Sequence, residues 1–243
     1  MGLGLTTRCS GQGRPFSFCE AIVSKPIMPS IETGKVKNQE VTGHEHIRTA
    51  VNLINWSGLA IWQPDQNCFQ PADEHEFVRR HESRGEFGRL ISWLVFSVGA
   101  EYLAKGICLA NGAVTPKKIS VLEYPEREGT IEAWVTNVLN GTAAKVDQIA
   151  YGTLGDYYGK KVASSYFGKL RGKGKLSDEK FRLVVAGYRV LGEAIRNRDA
   201  HTYVRDVRGG HFYLVEKLFV PCFNALLEAL PNAQISSGRL SST

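Results

Sequence analysis

Apolar residues recur at helical spacing along most of the chain. Ile47, Val51, Ile54 and Ala60/Ile61 form a first stripe that runs from His44 to Trp62 and stops at Pro64. Residues 63–72 read as a loop. A longer helical stretch spans about residues 73–110, where Phe87, Leu90/Ile91, Leu94, Val98, Tyr102 and Ile107 return every three to five residues. Asn111-Gly112 is placed to end it. Residues 113–129 carry two prolines and several charges, which predicts a loop with a short strand around Ile119–Leu122. Thr130 is placed to cap a helix over 131–140 whose inner face is Ile131, Trp134, Val135 and Val138, with Gly141 just past its end. Further helical pieces are expected over 142–151 and 154–167.

Gly168 to Lys175 reads GKLRGKGK, a basic flexible loop. Its glycine spacing is wrong for a phosphate-cradling P-loop, and no Ser or Thr follows the relevant lysine. Ser177 caps the next helix, with Asp178 and Glu179 in the first turn, where negative charge complements the macrodipole. Phe181, Val184/Val185, Tyr188, Leu191 and Ile195 mark its buried face. The last helix runs from about His211 to Leu230, lined by Phe212, Val215, Leu218/Phe219, Cys222 and Leu226, with a kink expected at Pro221. Neither an internal repeat nor a βαβ alternation is present, so the predicted class is all-α. Residues 1–43 are rich in Gly, Ser, Thr and Pro and are expected to be a disordered tail, as are residues 232–243. A single helical domain is expected over 44–231. Met28 is the only other methionine, and translation from it would leave residues 1–27 out of the protein.

Composition narrows the class without naming a chemistry. Apolar residues are 43% and charged residues 22% of 243, ordinary values for a soluble globular chain; collagen, coiled coil and full disorder are excluded. The longest charge-free apolar run, Leu90–Ala100, is too short for a membrane span and reads as a buried helix. The five cysteines are odd in number and show no CxxC spacing, which argues against a disulfide scaffold or a zinc site and fits a cytoplasmic protein. Cys108 and Cys222 fall in apolar stripes and read as small core residues. His44-Glu45-His46 and His75-Glu76 lack the HExxH spacing that sets two ligands on one helical face. No GxSxG is present, and no metal or cofactor is called for.

Charge is distributed unevenly. The formal net charge is +6, whereas residues 151–210 alone hold thirteen Lys or Arg against six acids. The positive field therefore belongs to the C-terminal half, and a polyanion such as RNA suits it. Lys169, Arg171, Lys173 and Lys175, joined by Arg198, are the candidate RNA contacts; a solvated linker is the other reading of the loop. Tyr157, Tyr158 and Tyr166 read as core residues before base-stacking platforms.

Chemistry concentrates in Glu193-Ala194-Ile195-Arg196-Asn197-Arg198-Asp199-Ala200-His201-Thr202-Tyr203, at the end of an amphipathic helix. Arg196 is suited to hold a phosphate in two-point contact and to neutralise charge building in a transition state. His201 is suited to move a proton near neutral pH. RNA brings its own nucleophile, the 2′-OH, so this pair needs no metal. One difficulty is geometric: five residues of α-helix set Arg196 and His201 about 140° apart at ~100° per residue. The helix must bend or end near 199–200, or the two must meet across a dimer axis. Arg205 and His211 form a second pair of similar spacing. A plainer reading makes Arg196 and Arg198 cations at a helix C-terminus, with Asp199 and His201 as local partners. Glu101, set among apolar residues, is either a core partner of Arg196 or an i,i+4 partner of Lys105.

The run Arg196-Asn197-x3-His201-x-Tyr203 resembles the ribonuclease members of the HEPN family, which carry Arg, four to six residues, then His, many with a polar residue straight after the Arg. The resemblance implies an HEPN-like helical bundle, here with additional helices, in which residues 44–62 or 131–167 are insertions. It implies a homodimer whose two motif copies converge in a basic cleft, with Arg196 on phosphate, His201 in proton transfer and Asn197 positioning one of them. Tyr203 is similar to the tyrosine that a nucleotidyltransferase antitoxin modifies in toxins of this family. The activity implied is a metal-independent endoribonuclease, in a toxin or anti-phage setting. The alternative is a catalytically inactive helical module that binds nucleic acid, nucleotide or protein.

Overall fold

The structure, a computed structural model, describes residues 39–73, 75–76, 78–79, 85–125, 130–159, 161–196 and 210–230. Both expected tails fall outside these, the N-terminal one up to residue 38. The chain is mainly helical with two small antiparallel two-stranded sheets. The all-α expectation is met in the helices and missed in both hairpins.

Helices α1 (Gln39–Ser57) and α2 (Gly85–Ala110) form the central antiparallel pair: Gly43 lies against Gly106 and Ala110, and Ile54 against Gly99. The backbones touch where the glycines meet. A Cβ on Gly106 would stand 2.7 Å from Gly43 O and 2.6 Å from Ile47 Cγ1, so only a residue without one fits. Trp93, Phe96, Leu103 and Ile107 of α2 are buried. From Leu90 to Ala110 this helix is long and apolar enough to cross a membrane, and 67% of that stretch is buried inside the molecule. Asn111-Gly112 ends it as expected, Gly112 with φ +60 and Ala113 N donating to Cys108 O at 2.7 Å.

The first stripe is not one helix to Trp62. It stops at Ser57, and Gly58 turns the chain with φ 72. Strand β1 (Ala60–Gln63) pairs with β2 (Cys68–Pro71), which lies in the expected loop, from Ala60↔Pro71 to Gln63↔Cys68. The physical reason is period two: Ala60 and Trp62 point inward and Ile61 outward. Asn55 Oδ1 accepts from Trp62 N at 2.7 Å and ties the strand to the helix end.

Strands β3 (Lys117–Leu122) and β4 (Lys145–Ala150) flank helix α3 (Ile131–Leu139). The expected strand is found, but the expected helix over 142–151 is strand β4. Val146, Gln148 and Ala150 are half-buried while Lys145, Asp147 and Ile149 are exposed, the alternation of a half-covered strand. No residue of α3 is buried, so its apolar stripe does not enter the core. Trp134 anchors it instead: Nε1 donates to Glu123 O at 2.5 Å, and the ring lies 5.5 Å from Tyr124.

Three short elements replace the helix expected over 154–167: α4 (Leu154–Tyr158), a 3-10 turn (Val162–Ser164) and α5 (Tyr166–Gly172). Gly159, with φ 32, breaks the run. Residues 168–172, expected as loop, belong to α5. Gly168 is buried with its Cα against Val162 O, where a Cβ would stand at 2.3 Å; this glycine allows close packing rather than a turn.

Ser177 caps α6 (Asp178–Arg189) as expected, accepting from Lys180 N. The helix runs on as a π-helical segment, Val190–Arg196. The chain returns as α7 (Gly210–Leu214), a second π-helical segment (Val215–Phe219) and α8 (Val220–Leu227). The expected disturbance at Pro221 takes the form of this π segment: proline offers no N–H and crowds the carbonyl four residues back, and a wider turn accommodates both. Helices α6 and α8 are antiparallel, with Cys222 against Gly187 and Lys180 paired with Glu228. Tyr188, Phe167, Phe96, Phe219 and Phe223 stack where α2, α5, α6 and α8 meet. The side-chain amide of Asn224 exchanges two hydrogen bonds with the Phe69 backbone, 2.8 and 2.9 Å, and fixes the first hairpin on α8.

Candidate functional site

Arg196 is the last residue of the first π segment. Leu191 and Ile195 are buried beneath it, and the Tyr188 hydroxyl donates to Ala100 O of α2 at 2.9 Å. The Tyr158 phenol lies against the segment's backbone: a Cβ on Gly192 would meet its oxygen at 2.6 Å. Glu193 is exposed and pairs with Arg189 at 3.1 Å. The Arg196 side chain lies outside the described residues, as do Asn197, Arg198, Asp199, His201, Tyr203 and Arg205 and the His211 side chain. Arg196 ends the first π-helical segment, and the described chain resumes at Gly210 with α7, ahead of the second.

A group of half-buried ionisable residues that spacing did not pick out is drawn from α1, α2 and the loop after β4. His46 of α1 donates from Nδ1 to Thr42 O at 2.8 Å and sits between the rings of Tyr102 (5.3 Å) and Tyr151 (5.4 Å). Burial holds its pKa below the ordinary 6.5, with Lys105 adding to the effect; the Thr42 carbonyl and Glu45 oppose it. Glu101 pairs with Lys105 at 2.7 Å, the i,i+4 contact expected. No sequence signal could have joined His46 to Tyr102 and Tyr151, since the three come from separate elements. Cys108 and Cys222 are core residues, as expected, and burial pushes both thiols well up, away from thiolate chemistry.

The four candidate RNA contacts of the 168–175 run lie elsewhere; the fifth, Arg198, is outside the described residues. Lys169 Nζ stands 5.0 Å over the Tyr166 ring. Arg171 lies 4.5 Å over the Phe181 ring and 3.5 Å from the Asp178 carboxylate. Lys173 Nζ donates to Asn111 O (2.8 Å) and Gly112 O (3.0 Å), the carbonyl end of α2, where a cation answers the macrodipole. Lys175 is exposed. All four stand near the N-terminal end of α6, whereas Arg196 stands past its C-terminal end. About 25 Å of helix at ~1.5 Å per residue separates them. Tyr157 and Tyr166 are buried core residues, as expected, and Tyr158 is half-buried.

Among the described residues no three His, Cys, Asp or Glu stand together as a metal site. No family model, no characterised protein and no solved structure matches the chain.

Proposed function

We propose that the chain is an HEPN-like, metal-independent endoribonuclease of a toxin or anti-phage type, acting as a homodimer on RNA in the cytoplasm. Arg196 holds the scissile phosphate, Asn197 positions the pair and His201 moves the proton. The 2′-OH attacks phosphorus, the 5′-oxygen leaves, and the products carry a 2′,3′-cyclic phosphate and a 5′-OH. One observation supports this above the rest: the helix that delivers Arg196 ends in π-helical winding. An α-helix leaves residues five apart about 140° apart. Bonding from i to i+5 brings residues five apart one above the other, and π segments gather at functional sites. Five residues is also the spacing of Arg196 and His201 in the chain.

The test is cleavage of total RNA and a tRNA panel in EDTA, wild type beside His201→Ala, with the 3′ ends typed. Cyclic-phosphate ends are expected from wild type, with a loss of at least about 10²-fold in the variant. Arg205→Ala and His211→Ala are the controls; activity that disappears in those two and survives in His201→Ala transfers the roles to the second pair. A nucleotidyltransferase antitoxin, where one is encoded, would silence the protein at Tyr203.

The second reading is a helical module that binds RNA without cutting it. The distance between the basic turn and Arg196 favours it, since a catalytic cleft gains most from cations beside the reacting phosphate. RNA retained by the folded protein and recovered intact selects this reading.

A further inference from the structure

Among the described residues strand β3 has a partner on one edge only: β3 and β4 form a sheet of two. The hairpin and α3 form an arm, residues 117–150, inserted between α2 and α4. Six large apolar residues of the arm are exposed: Ile119, Leu122, Tyr124, Val135, Leu139 and Ile149. A two-stranded ribbon is marginal alone in water, and an exposed edge is a template for another strand.

The backbone shows which residues face that edge. Glu123 N donates to Ala144 O at 3.0 Å, so residue 123 directs its polar groups at β4. Alternation along a strand then directs residues 121, 119 and 117 at β4 and residues 122, 120 and 118 outward. The outward set is symmetric about Ser120. A two-fold axis there makes Ser120 the hydrogen-bonded partner of its own copy and pairs Lys118 with Leu122 on either side.

The side chains obey the same symmetry. Residues between the hydrogen-bonded pairs stand closest across an antiparallel ladder. In this register they set Ile119 against the copy's Val121 and Lys117 against the copy's Glu123. The first is an apolar β-branched pair and the second an opposite-charge pair, both favourable. Lys117, Ile119 and Glu123 are all exposed. The equivalent axis on the β4 edge puts Asp147 opposite Asp147, a like-charge clash. We infer that β3 docks against β3 of a second copy, antiparallel and centred on Ser120, to make a continuous four-stranded sheet across a two-fold axis. The inference stands apart from the ribonuclease reading: that reading also expects a homodimer, but only a β3–β3 contact makes the mass respond to charge reversal on β3.

The experiment is sedimentation velocity on the full chain at concentrations up to about 100 µM, since an edge of this size belongs with the weaker interfaces. Four proteins are compared: wild type, Lys117→Glu, Glu123→Lys and the double reversal. Each single reversal sets like charges opposite one another at two places and is expected to weaken self-association about tenfold or more. The double reversal restores the pairing in mirror form and is expected to recover it. Ser120→Pro is the backbone arm. Its lost N–H faces outward, a position where an edge strand tolerates proline, so the hairpin survives and the association fails. Circular dichroism and a thermal melt confirm that each variant is folded. A wild type that stays monomeric at the highest concentration overturns the inference. So does an oligomer unmoved by the single reversals, or one that responds to Lys145→Glu or Asp147→Lys instead.

Discussion

Single residues decide how closely the central helices approach. Gly106 stands where backbone meets backbone, so a methyl group there has nowhere to go. Alanine raises helix propensity by about 1 kcal/mol, but the overpacking costs about 1–3 kcal/mol. The net expectation for Gly106→Ala is a loss of up to about 2 kcal/mol and a melting temperature lower by up to about 8 °C, read by calorimetry. A melt at or above wild type would mean that α1 and α2 can move apart. His46 makes a second residue-scale expectation. Its folded pKa is depressed, so between the folded value and 6.5 the unfolded chain binds more protons than the native one. The neutral ring's contribution is complete above about pH 7 and is lost as pH falls through the folded value. Melting temperatures from pH 5 to 8 should rise with pH below 6.5, and His46→Gln should flatten that limb. An unchanged slope in the variant would place the titration elsewhere.

Some elements here are clipped in place by single side chains. Asn224 acts as a peptide-like clip on Phe69: its amide gives one bond and takes one, where a strand partner would do the same. Asn224→Ala leaves both backbone groups of Phe69 without that partner, and about 2 kcal/mol of stability is the expected loss in urea denaturation. A change within about 0.5 kcal/mol would show that the first hairpin is held by Phe69 and Trp62 packing instead. The π segments are a different kind of element feature. Each costs ideal helical geometry; one follows α6 directly and the other leads directly into α8. Their apolar residues keep helical spacing, so the stripe through Leu191 and Ile195 was readable; the change of winding was not, because it shifts phase by a fraction of a turn.

At the scale of the molecule, the basic turn before α6 and Arg196 after it stand apart. The excess of Lys and Arg over residues 151–210 is spread along α6 and its neighbours, and part of it has internal partners. Lys173 closes the carbonyl end of α2, and Arg171 covers Phe181. Linear charge counting could not foresee this, because those partners are distant in sequence. An RNA that touched both Lys175 and Arg196 would have to follow the length of α6.

Local rules carried the reading where one element buries one face. The end of α2 at Asn111-Gly112, the Ser177 cap, the buried stripe of α6 and the core thiols Cys108 and Cys222 all follow from spacing, capping chemistry and apolarity. So does strand β3, placed from a short β-branched run between prolines. What depended on pairing through space was not readable: β2 inside an apparent loop, β4 inside an apparent helix, and α3 amphipathic yet without a buried residue. Lys-Val-Asp-Gln-Ile-Ala has no preference strong enough to choose strand over helix, and β3, more than twenty residues earlier, makes that choice. The candidate site divides the same way. Residue types and spacing at Arg196, Asn197 and His201 are written in the chain, whereas the winding beneath Arg196 and the distance to the basic turn arise from packing of α6 between α2 and α8.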